Sequence, residues 1–370
     1  MYARRLARLR ADLALVGLDA LVVTHPPNLR YLTGLKASAG AVVITRERCA
    51  LLVDFRYVTS AQRLAAENPE LDVPAPTTAF DASIVEQLLR AGATRIGVEG
   101  GYLPVVRYNR LSSLLAADAV KPLVSDGPVP MLVPTERLVE RARAVKDENE
   151  ITILREAAKR LSTVARELPR LVRPGLTELQ IAALVETSLR QAGFEAFAFE
   201  TIVASGPNAA LPHARASSRV VAEGDGVVLD FGGVYDGYCV DLTRTLQVGQ
   251  TSVEFRRMFD AVAEAHGAAI AAVKPGVAAA DIDGAARRVL EHHGLGEAFG
   301  HGTGHGLGLE VHEEPRISPL APPGEPVVAG MVFTIEPGAY VPGVGGVRIE
   351  DDVLVVPNGC ELLTEVPIRL

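Results

Sequence analysis

Apolar positions recur in two alternating rhythms along the first third of the chain. Leu6, Leu9, Leu13 and Val16 follow one another at helical spacing, which predicts a surface helix burying one face. Beyond it, short β-rich runs at Ala20–Thr24, Ala41–Thr45, Cys49–Val53, Arg95–Val98 and Val120–Leu123 alternate with helical stretches such as Val58–Glu67 and Ser83–Ala91. That alternation predicts an α/β domain. The segment Ser125-Asp-Gly-Pro-Val-Pro, followed by Pro134, is rich in turn formers, and Thr135–Leu168 then reads as charged helix with Lys146, Asp147, Glu148 and Glu150 exposed. A domain boundary is therefore expected near residue 133, dividing the chain into residues 1–133 and 134–370.

The second part carries helical patterns at Glu148–Leu168, Thr177–Ala192, Ser252–Val273 and Ala279–His293. Between and after them lie strand-like pieces at Thr201–Ala204, Gly226–Phe231, Tyr238–Val248, Val332–Ile335, Val347–Glu350 and Val353–Val356. Two stretches share one plan: a helix beginning after Pro-Gly (Pro174-Gly175, then Pro275-Gly276), a short segment, and a strand pair carrying two acidic residues. The pattern predicts an internally duplicated α+β domain.

Composition narrows the function classes. At 370 residues, with 48% hydrophobic and 22% charged residues, the chain has the make-up of a soluble globular protein, which excludes disordered and collagen-like types. Its 37 Lys and Arg against 45 Asp and Glu give a net charge of −8, so no general attraction to nucleic acid or anionic membranes is expected. Cys49, Cys239 and Cys360 are odd in number and far apart, which predicts neither a disulfide framework nor a zinc knuckle, and a reducing cytoplasm is the expected compartment. Arg4, Arg5, Arg8 and Arg10 precede an apolar stretch in the manner of a signal peptide, but Asp12 and Asp19 interrupt it. No apolar run reaches the roughly 18 residues that a membrane span needs. The expectation is a protein neither exported nor membrane-bound.

The chemistry concentrates in the second part. Asp230 ends the apolar run Val227-Val-Leu-Asp-Phe, and Asp241 follows across a turn containing Gly232, Gly233, Asp236 and Gly237. Strand alternation puts Asp241, Thr243 and Thr245 on one face, where an inward orientation would bury Asp241 beside Asp230. Two such carboxylates need a proton, a cation or a metal between them. The plainer reading leaves one Asp in the turn and pairs the other with Arg244. A second acidic pair, Glu336 after Met331-Val-Phe-Thr-Ile and Glu350 in Val347-Arg-Ile-Glu, flanks a turn rich in Gly and Pro. Arg348 and Glu350 share a strand face, so a simple salt bridge competes with a role in a shared site. Three of the eight histidines fall in His301-Gly-Thr-Gly-His305-Gly-Leu-Gly-Leu-Glu-Val-His312, with glycines that permit close backbone approach. Four carboxylates and an imidazole make a mainly oxygen ligand set suited to two divalent ions such as Mn²⁺ or Co²⁺. Cys239, on the same strand, is not expected to be a ligand and is a site of possible oxidation.

With Leu-Asp-Phe-Gly-Gly, Asp-Leu-Thr-Arg-Thr, His-Gly-Thr-Gly-His-Gly-Leu-Gly-Leu, Ile-Glu-Pro-Gly and Arg-Ile-Glu-Asp in this order, the chain resembles the pita-bread dinuclear metallopeptidases, and more narrowly their aminopeptidase P and prolidase branch. Asn28-Leu-Arg-Tyr-Leu-Thr-Gly and Val53-Asp-Phe-Arg-Tyr extend the resemblance to that branch's smaller N-terminal domain. It implies a creatinase-like α/β N-terminal domain followed by a pita-bread catalytic domain with internal pseudo-twofold duplication. It also implies that Asp230, Asp241, His305, Glu336 and Glu350 hold two divalent ions, with Mn²⁺ expected and Co²⁺, Zn²⁺ or Fe²⁺ also accepted by such ligands.

Carried over by position, the resemblance implies a metal-bridging hydroxide as nucleophile, Glu336 relaying the proton, His312 donating to the oxyanion and His213 as a further active-site histidine. Arg348 would position Glu350 or the substrate, and His301 either lines a proline pocket or packs its loop. His25, His266, His292 and His293 have no such context and are expected on the surface or on helices. The implied substrates are small peptides with proline second: Xaa-Pro dipeptides for a prolidase, longer peptides for an aminopeptidase P. The compact length favours the dipeptidase. Methionine aminopeptidase shares the catalytic plan without the N-terminal domain, and creatinase shares the architecture without the metal ligands. A homodimer is implied by the resemblance alone. The reading from another class, a metal-free protein-binding module, conflicts with the intact five-residue set.

Overall fold

The structure is a computed structural model that describes residues 1–116, 129–322 and 324–369. Two compact units divide after Ala142. The first contains α1 (Tyr2–Leu15), β1 (Ala20–Val23), α2 (Pro26–Thr33), β2 (Ala41–Thr45), β3 (Cys49–Leu52), α3 (Val58–Glu67), β4 (Leu71–Asp72), α4 (Phe80–Arg90), β5 (Arg95–Glu99), α5 (Val105–Ala116) and β6 (Met131–Thr135), and α6 (Leu138–Ala144) runs through the division. The strands form one mixed sheet in the order β4-β3-β2-β1-β5-β6. Val22, Val43, Leu52, Ile96 and Val98 from its strands pack against Ile84, Leu88, Leu111 and Leu115 from α4 and α5, as an α/β layer requires.

Sequence and structure part company at specific places. In α1, Leu6, Leu9 and Leu13 are buried as expected, but Val16 lies just past the last turn and is exposed, while Arg5 is buried with its guanidinium donating to the Tyr31 carbonyl. The expected boundary near residue 133 falls within β6, which pairs in parallel with β5 and so belongs to the first sheet. The expected strand Val120–Leu123 and most of the turn-rich segment after it lie outside the described residues.

The second unit begins with α6's last residues and continues through α7 (Glu148–Arg166), α8 (Leu168–Leu171), α9 (Glu178–Gln191), β7 (Ala196–Phe197), β8 (Ile202–Ser205), β9 (Gly226–Tyr235) and β10 (Tyr238–Gln247). Then come α10 (Val253–Ala272), α11 (Ala279–His292), β11 (Gly304–Gly306), β12 (Glu313–Ile317), β13 (Val332–Ile335), β14 (Gly338–Val341), β15 (Gly345–Arg348), β16 (Asp351–Val356) and β17 (Gly359–Leu362). The single charged helix expected over Thr135–Leu168 is broken between α6 and α7. Lys146 N–H donates to the Gly330 carbonyl at 2.9 Å, and Asp147 starts a new helix by accepting from the Asn149 and Glu150 amides.

The two halves of this unit repeat one construction. After the long helix α7, Gly175 at φ 91° donates its N–H to Val221 O at 2.9 Å; after α10, Gly276 at φ 90° donates to Val327 O at 2.9 Å. Both turns need the left-handed backbone that the Pro-Gly pairs supply. Each is followed by an isolated antiparallel bridge, Thr177 with Val220 and Ala278 with Pro326, and then by an antiparallel strand pair, β9 with β10 and β13 with β16. Each half has its own apolar cluster: Leu154, Leu161, Ile181, Val185 and Leu229 in one, Phe259, Val262, Ile282, Leu290 and Phe333 in the other. Among the described residues no helix is long and apolar enough to cross a membrane.

Candidate active site

Asp230 and Asp241 face the same way because of the β9–β10 register. Thr243 lies opposite Asp230, and Asp241 is two residues along from Thr243, so period-two alternation places all three on one face. Glu350 arrives from the other half, in the two-residue gap between β15 and β16, where its N–H donates to Thr243 O at 3.1 Å and its Oε2 accepts from Thr243 Oγ1 at 2.6 Å. Glu336 follows β13 directly and is held by its N–H to Thr303 O at 2.7 Å.

His305 sits on β11, whose neighbour Gly304 lets two backbones meet, since a Cβ there would lie 1.9 Å from Thr334 O. The His305 N–H donates to Thr334 Oγ1 at 3.1 Å. Its Nδ1 lies 3.1 Å from the Gly306 carbonyl, which can only accept, so Nδ1 carries the proton and Nε2 presents a bare lone pair. That Nε2 is 3.5 Å from Glu336 Oε1. Donor atoms of Asp241, His305 and Glu350 all lie within 4.8 Å of one another.

This group is acidic and largely buried. Burial, then the neighbouring Glu350 and Asp230, push the Asp241 carboxyl well above its ordinary range; burial, then Glu336 and Asp230, do the same to Glu350. Burial also raises Glu336 and lowers His305. Among the described residues, Asp230 Oδ1 and Asp241 Oδ1 are buried without a hydrogen-bond partner. Orphaned carboxylate oxygens, mutually repelling acids and an unprotonated imidazole nitrogen fit divalent cations, which would supply the missing positive charge.

The arginines are distributed differently from the plainer sequence readings. Arg244 is fully buried and pairs with Asp351 at 2.8 Å, not with Asp241, and it also donates to the carbonyls of Glu350 and Val366. Arg348 passes over Glu350 and pairs with Asp230 Oδ2. Its NH1 donates to Tyr340 Oη at 2.7 Å and to Pro212 O at 3.2 Å. The expected strand Val347–Glu350 ends at Arg348.

Around the acids stand the other histidines. His301 Nδ1 lies 2.8 Å from Gly302 O and so carries the proton, leaving Nε2 to accept from the Tyr340 hydroxyl at 3.0 Å. His312 faces solvent, with its ring centroid 4.3 Å from that of His305. Partial burial of its ring, then the neighbouring His305, lower its pKa. His213 is exposed and acts electrostatically on both His301 and His312. His266, expected on a surface or helix, is on α10 but buried, 3.1 Å from Asp351 Oδ2. Burial pushes the Cys239 thiol up to about 12.

Sequence reasoning missed Tyr340 and Asp352. Tyr340 links Arg348 to His301 and, buried, has its hydroxyl raised to about 12. Asp352 accepts the Asp241 N–H at 3.0 Å. Asp352 has no spacing signal because it meets Asp241 across strands distant in the chain, whereas Tyr340 meets Arg348 across the β14–β15 hairpin, whose register the sequence does not show.

Comparison with known proteins agrees with this geometry. Residues 152–357 match the model of metallopeptidase family M24, and residues 5–145 match the creatinase/prolidase N-terminal domain. The Xaa-Pro dipeptidase of Pyrococcus horikoshii is 33% identical over 349 residues, covering 94% of this chain and 93% of the relative. Among solved structures, the Xaa-Pro dipeptidase from Bacillus anthracis superposes with a TM-score of 0.90 at 34% identity over 100% of both chains. The X-Pro aminopeptidase from Thermotoga maritima gives 0.84 at 33% identity over 96% of this chain and 99% of its own. The expected creatinase-type N-terminal domain and pita-bread catalytic domain are thus both present, and the chain belongs to metallopeptidase family M24.

Proposed function

We propose that the protein hydrolyses Xaa-Pro dipeptides as a metal-dependent dipeptidase. The observation that carries this reading is the meeting of Asp241, His305 and Glu350, with His305 Nε2 unprotonated, next to the chain of hydrogen bonds through Arg348, Tyr340 and His301. Asp230, Asp241, His305, Glu336 and Glu350 would hold two divalent ions, Mn²⁺ by preference. Bound there, the ions would acidify water and polarise the scissile carbonyl.

The chain's own residues would do the rest. Glu336 has a carboxyl raised by burial, suited to taking a proton and passing it to the leaving nitrogen. His312 and His213, both solvent-facing, would donate to the substrate's carbonyl or carboxylate oxygens. Arg348 balances Asp230 and holds Tyr340, which turns the His301 ring toward a proline side. An Xaa-Pro bond has no amide N–H, so a site that selects by ring shape suits it better than one requiring that donor.

The test compares Ala-Pro with Ala-Pro-Ala, each with Mn²⁺ and with chelator, for wild type and Glu336→Gln. Metal-dependent cleavage of Ala-Pro alone, lost in the variant, is expected. Equal or better cleavage of Ala-Pro-Ala would make the enzyme an aminopeptidase, the second reading, which the similarity to the Thermotoga maritima X-Pro aminopeptidase favours. The reading also includes a homodimer, checked by light scattering, and a cytoplasmic setting in which the three cysteines remain free.

A further inference from the structure

We propose that Arg143 and Lys146 are positioning residues for His312, pinning residues 308–313 through Glu310 and Glu313. The inference rests on the role given to His312 in the proposed reaction.

His312 lies between β11 and β12, in a stretch with neither helix nor strand. Among the described residues no hydrogen bond fixes its ring, so the backbone that carries it decides where the imidazole stands. That backbone is flanked by two acids, Glu310 two residues before and Glu313 one residue after. Both turn to one buried cation: Arg143, in the last turn of α6 and 2% exposed, lies 2.8 Å from Glu310 Oε2 and pairs with Glu313 Oε1. The ammonium of Lys146, also buried, is 3.5 Å from Glu313 Oε2. Glu313 Oε1 further accepts the Glu310 N–H at 3.0 Å, the Gly308 N–H donates to Glu310 O at 3.0 Å, and the Cys239 N–H of β10 donates to Gly308 O at 2.6 Å.

One guanidinium nitrogen, Nη2 of Arg143, thus bridges both carboxylates, with Glu313 buried between Arg143 and Lys146 and Glu310 at the exposed edge. Glycine at 308 makes room, because a Cβ there would lie 2.8 Å from Glu313 Oε2. Removing Arg143 would leave Glu313 buried and poorly compensated, and the segment would move to reach water. His312 would then lose its place beside His305, 4.3 Å away between ring centroids.

The experiment uses the full-length, metal-loaded protein with Ala-Pro, comparing wild type, Arg143→Met, Glu310→Gln and His312→Asn, and the first two each combined with His312→Asn. Glu310 is 36% exposed, so its variant tests the same contact where Arg143→Met fails to fold. Expected are a fall in kcat of about 10–100-fold with KM little changed for each single variant, as for a displaced catalytic group. No further loss is expected when either is added to His312→Asn. Amide hydrogen exchange without substrate is expected to accelerate at Gly308 and Glu310 while α7 and α10 stay protected. Losses that multiply in the double variants, or unchanged exchange at these amides, would overturn the proposal. A wild type inactive on Ala-Pro would defeat the substrate reading alone, and the exchange result would still decide the pinning.

Discussion

Arg348 pairs with Asp230, which lies on β9 in the first half of the catalytic unit, and not with Glu350 two residues along its own stretch. One guanidinium thereby ties a carboxylate of one half to the backbone of the other. It also donates to Tyr340 Oη and Pro212 O, so its fork is filled on three sides.

Replacing Arg348 with Lys keeps the charge and loses the fork. We expect kcat/KM for Xaa-Pro substrates to fall by about 10–100-fold, as when a support beyond the direct ligands is removed. Metal content by elemental analysis should stay close to wild type. A change below about threefold would show that Asp230 needs only a positive charge.

Glu336→Gln removes the carboxylate proposed to carry the proton while leaving its backbone bond to Thr303 intact. Loss of a positioned acid–base group predicts a fall in kcat of about 10²–10⁴. Calorimetric titration with a non-hydrolysed product, proline, should still detect binding. Retention of wild-type kcat would assign the proton transfer to another group.

The raised carboxyls make stability depend on pH and metal together. Asp241 and Glu350 have folded-state pKa values above their unfolded ones, so without metal the folded chain binds more protons than the unfolded chain. Their ionisation then costs stability as pH rises from about 4, the ordinary carboxylate value, toward the raised folded values. Divalent ions compete with those protons, so stabilisation by metal should grow with pH across the same interval. Melting curves with Mn²⁺ and with chelator between pH 5 and 8 read this directly; a gap independent of pH would contradict it.

Arg244 is buried completely, and its partners are Asp351 and the carbonyls of Thr243, Glu350, Val366 and Pro367. It therefore fastens the C-terminal residues to β10, which bears Asp241, and to the backbone of Glu350. Arg244→Met leaves Asp351 without its guanidinium in a dry site, and urea unfolding should show a loss of about 3–5 kcal/mol. A loss under about 1 kcal/mol would mean that the Thr364 hydroxyl, which donates to Asp351 Oδ1 at 2.7 Å, suffices.

Much of the site was legible before any tertiary contact. Period-two alternation put Asp241, Thr243 and Thr245 on one face, and the Pro-Gly turns announced a duplication that reappears as matched hydrogen bonds at Gly175 and Gly276. The ion-pair partners of Arg244 and Arg348 were not legible, because a neighbour a few residues away along a strand is visible in sequence, whereas a partner more than a hundred residues away is not.

The sequence by itself determined the long helices of the second unit and the β9–β10 strand pair, since apolar period and turn chemistry act locally. It also determined the chemical kind of the site, because four acids and a histidine in Gly-rich surroundings suit hard divalent cations whatever their arrangement. Only the tertiary structure decided which charges meet. It paired Arg348 with Asp230, Arg244 with Asp351 and Arg143 with Glu313, buried His266, and broke the helix at Lys146 where Gly330 offers its carbonyl. Buried charges take whichever partner the closing backbone brings within reach, because leaving one unpaired costs more than any local preference can return.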